Sequence, residues 1–157
     1  GKALALEEYL LELPPDEKVV IFHEYIYSGV IIQEVLKRLK INYTGVGYGF
    51  KNPASNLARF TEDHKCRVWV ANCKAGGTGA DGLQKVARYG VFYETPSSPG
   101  QRKQAYKRLH RDGQQRRVYI TDLVASNVAI DKRIFAALKQ GQDLFKAVCE
   151  GKEILNE

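Results

Sequence analysis

The chain has 157 residues, of which 44% are hydrophobic and 27% are charged, which fits one globular domain with a full core. No apolar run approaches the roughly 18 residues that a membrane span needs, and acidic Glu7 and Glu8 follow the start too closely for a secretion signal. We therefore expect a single domain over residues 1–157 that works in the cytoplasm or the nucleus, without a membrane partner.

The net charge of +6 is concentrated in residues 99–117, which hold seven basic residues and one acid. The remainder has 17 basic and 17 acidic residues and is neutral. Such a segment indicates an anionic partner, either the phosphates of a nucleotide or the backbone of a nucleic acid. A solvated basic face is the alternative that charge alone leaves open.

Apolar runs and helical periodicity alternate along the chain. Strands are predicted at residues 18–23, 43–48, 66–71, 88–93 and 117–124. Helices are predicted around residues 6–13, 31–39, 53–63 and 101–111, and in a terminal segment that Asn127 caps. This alternation predicts an α/β fold with a doubly wound, mostly parallel sheet flanked by helices.

Several side chains are expected to pack in the core, and the cysteines and histidines are not expected to bind a metal. Trp69 and Phe92 lie in predicted buried strands, and for Tyr48 and Tyr106 packing is favoured over stacking on bases. The three cysteines and three histidines lack metal-ligand spacing, so no metal site is predicted. Cys66 and Cys149 are expected to be buried thiols. The absence of methionine, even at position 1, indicates a piece of a longer chain.

A glycine-rich turn follows the strand at 66–71 and spans residues 71–83. Its glycines allow backbone N–H groups to approach an anion closely. Lys74 adds a positive charge, and Asn72 adds a neutral hydrogen-bonding group. Asp81 could bind a ribose hydroxyl or orient an arginine. The turn matches neither G-x-x-x-x-G-K-[ST] nor G-x-G-x-x-G.

The basic segment carries a second pattern on its predicted helix. Gln104, Arg108 and Arg111 fall at i, i+4 and i+7, so they share one face, with Lys107 beside them. Two arginines on one face without a matching acid would repel each other in a purely structural role. Guanidinium groups suit bidentate contacts with phosphate oxygens, and an arginine can stabilise the charge of a departing γ-phosphoryl group.

These segments resemble the C-terminal RecA-like lobe of superfamily-two helicases, most closely the Swi/Snf-type DNA translocases. Residues 18–25 resemble motif IV, residues 71–83 motif V and residues 104–114 motif VI, in the family's order. Motif VI is the most specific, and its closing Gly113-Gln114 is typical of the Swi/Snf branch. The resemblance covers roughly residues 16–140, and residues 141–157 are expected to be a helical extension.

The resemblance implies a role for each matching position. Arg111 is expected to be the arginine finger, with Arg108 also reaching the ATP phosphates and Gln104 supporting that geometry. Gly79 and Asp81 are expected near the ATP or its ribose. Contacts to the tracking strand of the nucleic acid are expected from Asn72, Lys74, Gly76, His23 and Tyr25.

Three departures from the family pattern leave the subfamily, and the choice between DNA and RNA, open. Asp81 and Gly82 replace the commoner Asn-Leu, and Lys74 stands where Arg is frequent. The usual aromatic-Asn-Pro segment before motif VI is reduced to Ser97-Ser98-Pro99.

The chain contains no G-x-x-x-x-G-K-[ST] loop and no Asp-Glu box. ATP and Mg²⁺ are therefore expected to be held mainly by an N-terminal RecA-like lobe, and this chain alone is expected to hydrolyse no ATP. One alternative is a nucleic-acid-binding module with a vestigial ATPase geometry. Another is an unrelated doubly wound enzyme that binds a nucleotide at residues 76–82, which would leave Gln104, Arg108 and Arg111 unexplained.

Overall fold

Five parallel strands form one sheet in the computed structural model, which describes residues 1–73, 81–96 and 98–123. The strands are β1 (Lys18–His23), β2 (Tyr43–Val46), β3 (Val68–Asn72), β4 (Ala87–Phe92) and β5 (Tyr119–Asp122). Their order across the sheet is β2-β3-β1-β4-β5, and every neighbouring pair is parallel. The predicted α/β fold with a parallel sheet is confirmed.

Helices cover both faces of this sheet. They are α1 (Lys2–Glu12), α2 (Ile26–Arg38), α3 (Pro53–Glu62), α4 (Leu83–Val86) and α5 (Pro99–Lys107). Apolar residues of α1 and α2 pack on one face, and those of α3, α4 and α5 pack on the other. The sheet is therefore the middle of three layers, which is the arrangement that buries parallel strands on both sides.

Alternation along β1 divides its side chains between the two layers. Val19 and Ile21 belong to the cluster under α1 and α2, whereas Val20 and Phe22 belong to the opposite cluster. Trp69 and Phe92 are fully buried, and so is Cys66, as the sequence predicted. Each strand contributes to two cores, which explains why these runs are apolar without interruption.

The structure begins α2 at Ile26, five residues before the predicted start. Gly29 weakens the helical pattern in the sequence, but it is needed where it stands: a Cβ there would lie 2.8 Å from Cε1 of His23. The strands at β3, β4 and β5 are also shifted or shorter than predicted. The predicted terminal helix, the extension at residues 141–157 and Cys149 lie outside the described residues.

Across the residues that the structure describes, no helix combines the length and the apolar character that crossing a membrane requires.

Candidate functional site

The carboxyl ends of β1 and β3 form one edge of the sheet. His23 is in register with Asn72, and the Cys73 N–H donates to the His23 carbonyl at 2.7 Å, so the two strands stay joined beyond their last residues. The Asn72 side-chain amide donates to the Glu24 carbonyl at 3.1 Å. Asn72 is thus fixed at the edge where ligands of such sheets bind. Lys74, Gly76 and Gly79 lie outside the described residues.

His23, which the sequence predicts to contact the tracking strand of the nucleic acid, is the last residue of β1. Its side chain is buried, and its Nδ1 lies 2.9 Å from the Tyr25 carbonyl oxygen. Burial lowers the pKa of His23 below its ordinary value, and the bond to Tyr25 only partly opposes this. The neutral ring therefore supports the backbone at Tyr25 and does not present a positive charge to a phosphate.

Tyr25 lies on the surface beside an open groove. Its ring stacks on that of Tyr27, with centroids 5.4 Å apart and planes only 4° apart. The groove has a volume of about 630 Å³ and is lined by Glu24, Tyr25, Ile26, Tyr27, Gly47, Tyr48 and Asn72. Tyr48 is 68% exposed, so the prediction that it packs in the interior is wrong. It lies between two glycines with positive φ, a loop that projects its side chain outward.

Two carboxylates are buried beneath this edge. Glu24 and Glu94 are both buried, and the Glu24 N–H donates to Glu94 Oε1 at 3.3 Å. Oε2 of each residue has no hydrogen-bond partner among the described residues. Burial together with these two charges raises the pKa of the neighbouring Cys73 thiol to about 12. Cys73 is therefore a protonated thiol and not a nucleophile at neutral pH.

The titration of Glu94 gives a testable stability effect. Burial raises the pKa of its carboxyl, and hydrogen bonds and the charge of Lys2 only partly oppose this. The folded state therefore binds more protons than the unfolded state between the ordinary and the raised pKa, and stability falls as pH rises through that window. We expect Glu94→Gln to raise the Tm at pH 7.5 and to change it little at pH 4.

Thermal melts of Glu94→Gln at the two pH values check this expectation. Glu62→Gln, a change of the same kind on the exposed surface of α3, is the control and should leave Tm almost unchanged at both. A Glu94→Gln shift of the same size at pH 4 and pH 7.5 would contradict the assignment, because only the ionised carboxylate is destabilising.

Helix α5 carries the first half of the basic segment. The Ser98 hydroxyl accepts from the Gln101 N–H at 3.2 Å and caps the helix, and Pro99 occupies its first turn. Ala105 and Leu109 are buried against the sheet. The opposite side, with Gln104, Lys107, Arg108 and Arg111, lines an open cleft of about 340 Å³. The structure therefore brings together the four side chains that the sequence pattern grouped.

The backbone that brings these four side chains together differs from the predicted helix. A helix over 101–111 was expected, but α5 ends at Lys107, and Arg108 and Leu109 donate to carbonyls three residues earlier, Ala105 and Tyr106. Arg111 lies in the following turn, where the Gln114 N–H donates to the Arg111 carbonyl at 3.0 Å. Gly113 has φ +97° in this turn, a conformation in which other L-residues are strained.

Distant acids neutralise part of the basic segment. Arg102 forms a bidentate ion pair with Asp122, with one bond of 2.8 Å, and its guanidinium lies 4.6 Å from the centre of the Phe92 ring. Arg116 lies 3.3 Å from a Glu17 carboxylate oxygen. These two arginines therefore tie the segment to the domain, whereas the cleft holds three further basic side chains, those of Lys107, Arg108 and Arg111.

Arg111 is paired with Asp81, although the pair is loose. Its guanidinium lies 3.5 Å from Asp81 Oδ1, and the two side chains are 39% and 72% exposed. Exposed pairs of this kind contribute little to stability. The structure therefore places Asp81 beside the predicted arginine finger, which is one of the two positions that the sequence left open for it.

The sequence missed Gln84, which lies behind this pair. It is buried at 4% exposure, and its amide donates to Asp81 Oδ1 at 3.2 Å and to the Asp112 carbonyl at 3.0 Å. Its Oε1 accepts from the Gly82 N–H at 3.0 Å. A glutamine in a one-turn helix gives no periodic signal, so only the three-dimensional contacts identify it.

No family model matches the chain. The ATP-dependent helicase YqhH of Bacillus subtilis, described as uncharacterised, is 30% identical to it over 158 residues that include the whole chain and 27% of the relative. Human DNA repair and recombination protein RAD54B is 28% identical, over 96% of this chain and 17% of its own length. The ATP-dependent helicase fft2 of Schizosaccharomyces pombe is 26% identical, over 81% and 10%.

Among solved structures, the C-terminal part of the Fun30 ATPase domain superimposes with a TM-score of 0.79 at 26% identity. The superposition covers 91% of this chain and 45% of that one. The fold is that of a RecA-like lobe. The chain matches helicases of the Swi/Snf type and corresponds in structure to the C-terminal lobe of the Fun30 ATPase domain. It spans about a quarter of the curated relative YqhH.

Proposed function

We propose that this chain is the second motor lobe of an ATP-dependent helicase or translocase that acts on double-stranded DNA. The observation that carries the proposal is the cleft in which Gln104, Lys107, Arg108 and Arg111 converge at the end of α5. Three cations around an open cleft, with no carboxylate among the described residues of its lining, suit the phosphates of a ligand. DNA as the substrate is supported by relatives whose names describe DNA repair and recombination.

In this proposal Arg111 is the arginine finger, Arg108 contacts the same triphosphate and Gln104 supports both. The described lining of the cleft offers three cations and an amide, which suit phosphate oxygens, and we propose that Mg²⁺ and most of ATP are held by the first lobe. Bound ATP supplies the scissile γ-phosphoryl bond. The residues of this chain add positive charge where negative charge develops and complete the site when the lobes close.

The DNA contacts belong to a different edge of the same sheet. Asn72 is fixed there by its bond to the Glu24 carbonyl, and Tyr25 is exposed beside it. Lys74 and the Gly76 backbone follow directly in the sequence and are proposed to contact the phosphates of one strand. Gly79 and Asp81 come next in the sequence and are proposed to lie near the ATP or its ribose. Such a motor would act where the cell keeps its DNA, in the bacterial cytoplasm or in the nucleus.

The proposal predicts that this chain alone hydrolyses no ATP. Phosphate release would be measured on the purified chain with and without duplex DNA, after circular dichroism has shown that it is folded. We expect no release above background and DNA binding that weakens steeply with salt, because backbone contacts release counterions.

Joining the chain to a first lobe with an intact phosphate-binding loop should produce DNA-dependent hydrolysis. If the isolated chain hydrolyses ATP and Arg111→Ala abolishes that activity, a composite site is not needed. DNA binding without hydrolysis in the joined protein would instead support the binding module with a vestigial ATPase geometry.

A further inference from the structure

Gln84 contacts both segments that meet at the proposed ATP site. Its Nε2 donates to the Asp81 carboxylate and to the Asp112 carbonyl, which directly follows Arg111 in the chain. Its Oε1 accepts from the Gly82 N–H. Of the side chains of this length, only a glutamine offers two N–H groups and an acceptor together. The three contacts therefore depend on the amide and not on volume alone.

The exposed ion pair cannot fix Arg111 unaided. Asp81 is 72% exposed and lies 3.5 Å from the guanidinium, and exposed pairs of this kind contribute little to holding a side chain in one position. Gln84 is buried, and it bonds the same Asp81 oxygen that faces Arg111. A buried, fully bonded amide holds its partners more firmly than a solvated pair does. Gln84 therefore fixes the positions of both Asp81 and the turn after Arg111.

The chain order places Gln84 between two functions. Asp81 directly follows residues 74–80, where the DNA contacts are proposed, and Arg111 belongs to the ATP cleft. We infer that Gln84 is a positioning residue that couples DNA binding at the turn after β3 to the placement of Arg111. The inference rests on the proposed function, in which these two segments bind DNA and ATP. Asp81 and the turn that carries Arg111 share one buried amide, so a displacement of Asp81 is passed to the arginine.

The coupling is measured in the joined two-lobe protein as the ratio of ATPase rates with saturating DNA and without DNA. We expect Gln84→Ala to lower this ratio about tenfold, within the usual range for coupled sites. The Kd for DNA and the KM for ATP should change less than about threefold, because Gln84 touches neither ligand. Gln84→Glu keeps the shape and the acceptor but loses both donated bonds, so it should lower the ratio as far.

Asn56→Ala is the matched control, because the Asn56 amide also bridges two backbone carbonyls, those of Gly45 and Lys51, at 3.0 and 2.7 Å. It should lower Tm and leave the ratio unchanged. A double-mutant cycle adds a second measure: Asp81→Ala combined with Gln84→Ala should lower the ratio no further than either change alone.

The outcomes separate the two ideas. If Arg111→Ala abolishes hydrolysis but Gln84→Ala and Gln84→Glu keep the normal ratio, the coupling role is wrong and the proposed function stands. If Arg111→Ala leaves hydrolysis intact, the proposed function itself is wrong. If Gln84→Ala does not fold, Gln84→Glu decides alone, and a normal ratio in that variant overturns the inference.

Discussion

Arg111→Ala in the joined two-lobe protein should lower kcat for ATP hydrolysis at least about 1000-fold, the range in which arginine fingers contribute. The Kd for duplex DNA should change less than about threefold. Arg111 lines the cleft with Gln104, Lys107 and Arg108, while the proposed DNA contacts lie on the turn after β3. Steady-state ATPase assays and DNA-binding titrations on the same preparation measure both quantities.

Arg116→Ala is the matched control for this experiment. Arg116 belongs to the same basic segment and has a similarly exposed side chain, 47% against 39%. It pairs with Glu17 and does not line the cleft, so we expect near-normal kcat and DNA affinity. If Arg111→Ala weakens DNA binding as much as it slows hydrolysis, the finger assignment is wrong and the segment binds DNA.

The sequence predicted the sheet better than the site, for physical reasons. β1 was predicted with the same bounds because a strand buried on both faces reads as an unbroken apolar run. The end of α5 was placed four residues too late, since buried Leu109 keeps helical spacing beyond the last helical residue. Periodicity records which side chains face the core, and a turn can preserve that as well as a helix can.

Long-range pairing explains what the sequence missed about the charges. Asp122 is 20 residues from Arg102 and Glu17 is 99 residues from Arg116, so both arginines seemed unpaired in the linear segment. The burial of His23 has the same kind of cause, because α2 passes over its ring at Gly29. Gln84 meets Asp112 at a separation of 28 residues. Each of these contacts exists only once the sheet is assembled.

Lys18 stabilises the sheet at the amino end of β1. It begins β1, is buried, and its ammonium donates to the carbonyls of Phe60, Asp63 and Cys66, the last two at 2.7 and 2.8 Å. Phe60 belongs to the last turn of α3 and Asp63 follows it, where helix carbonyls lack partners within the helix. The charge also suits the negative end of the helix dipole.

Lys18→Met should therefore lower the free energy of unfolding by about 3 kcal/mol, since it keeps the stem but removes the donor from three carbonyls. In a chain of this length that corresponds to a fall in Tm of roughly 6–12 °C. Chemical denaturation and thermal melts measure the two quantities. Lys37→Met is the control, because Lys37 is 62% exposed and its ion pair with Glu34 is as long as 4.0 Å. Such a pair contributes less than about 1 kcal/mol to the free energy of unfolding.

Equal decreases in the free energy of unfolding of the two lysine variants would show that water satisfies the three carbonyls as well as Lys18 does. A large loss confined to Lys18→Met would establish that the junction of β1, α3 and β3 depends on one buried ammonium. That junction lies at the amino ends of the strands, away from the carboxyl edge that carries Asn72, and Lys18 does not line the arginine cleft. Its loss should therefore reduce stability while the folded fraction keeps its DNA-dependent ATPase in the joined protein.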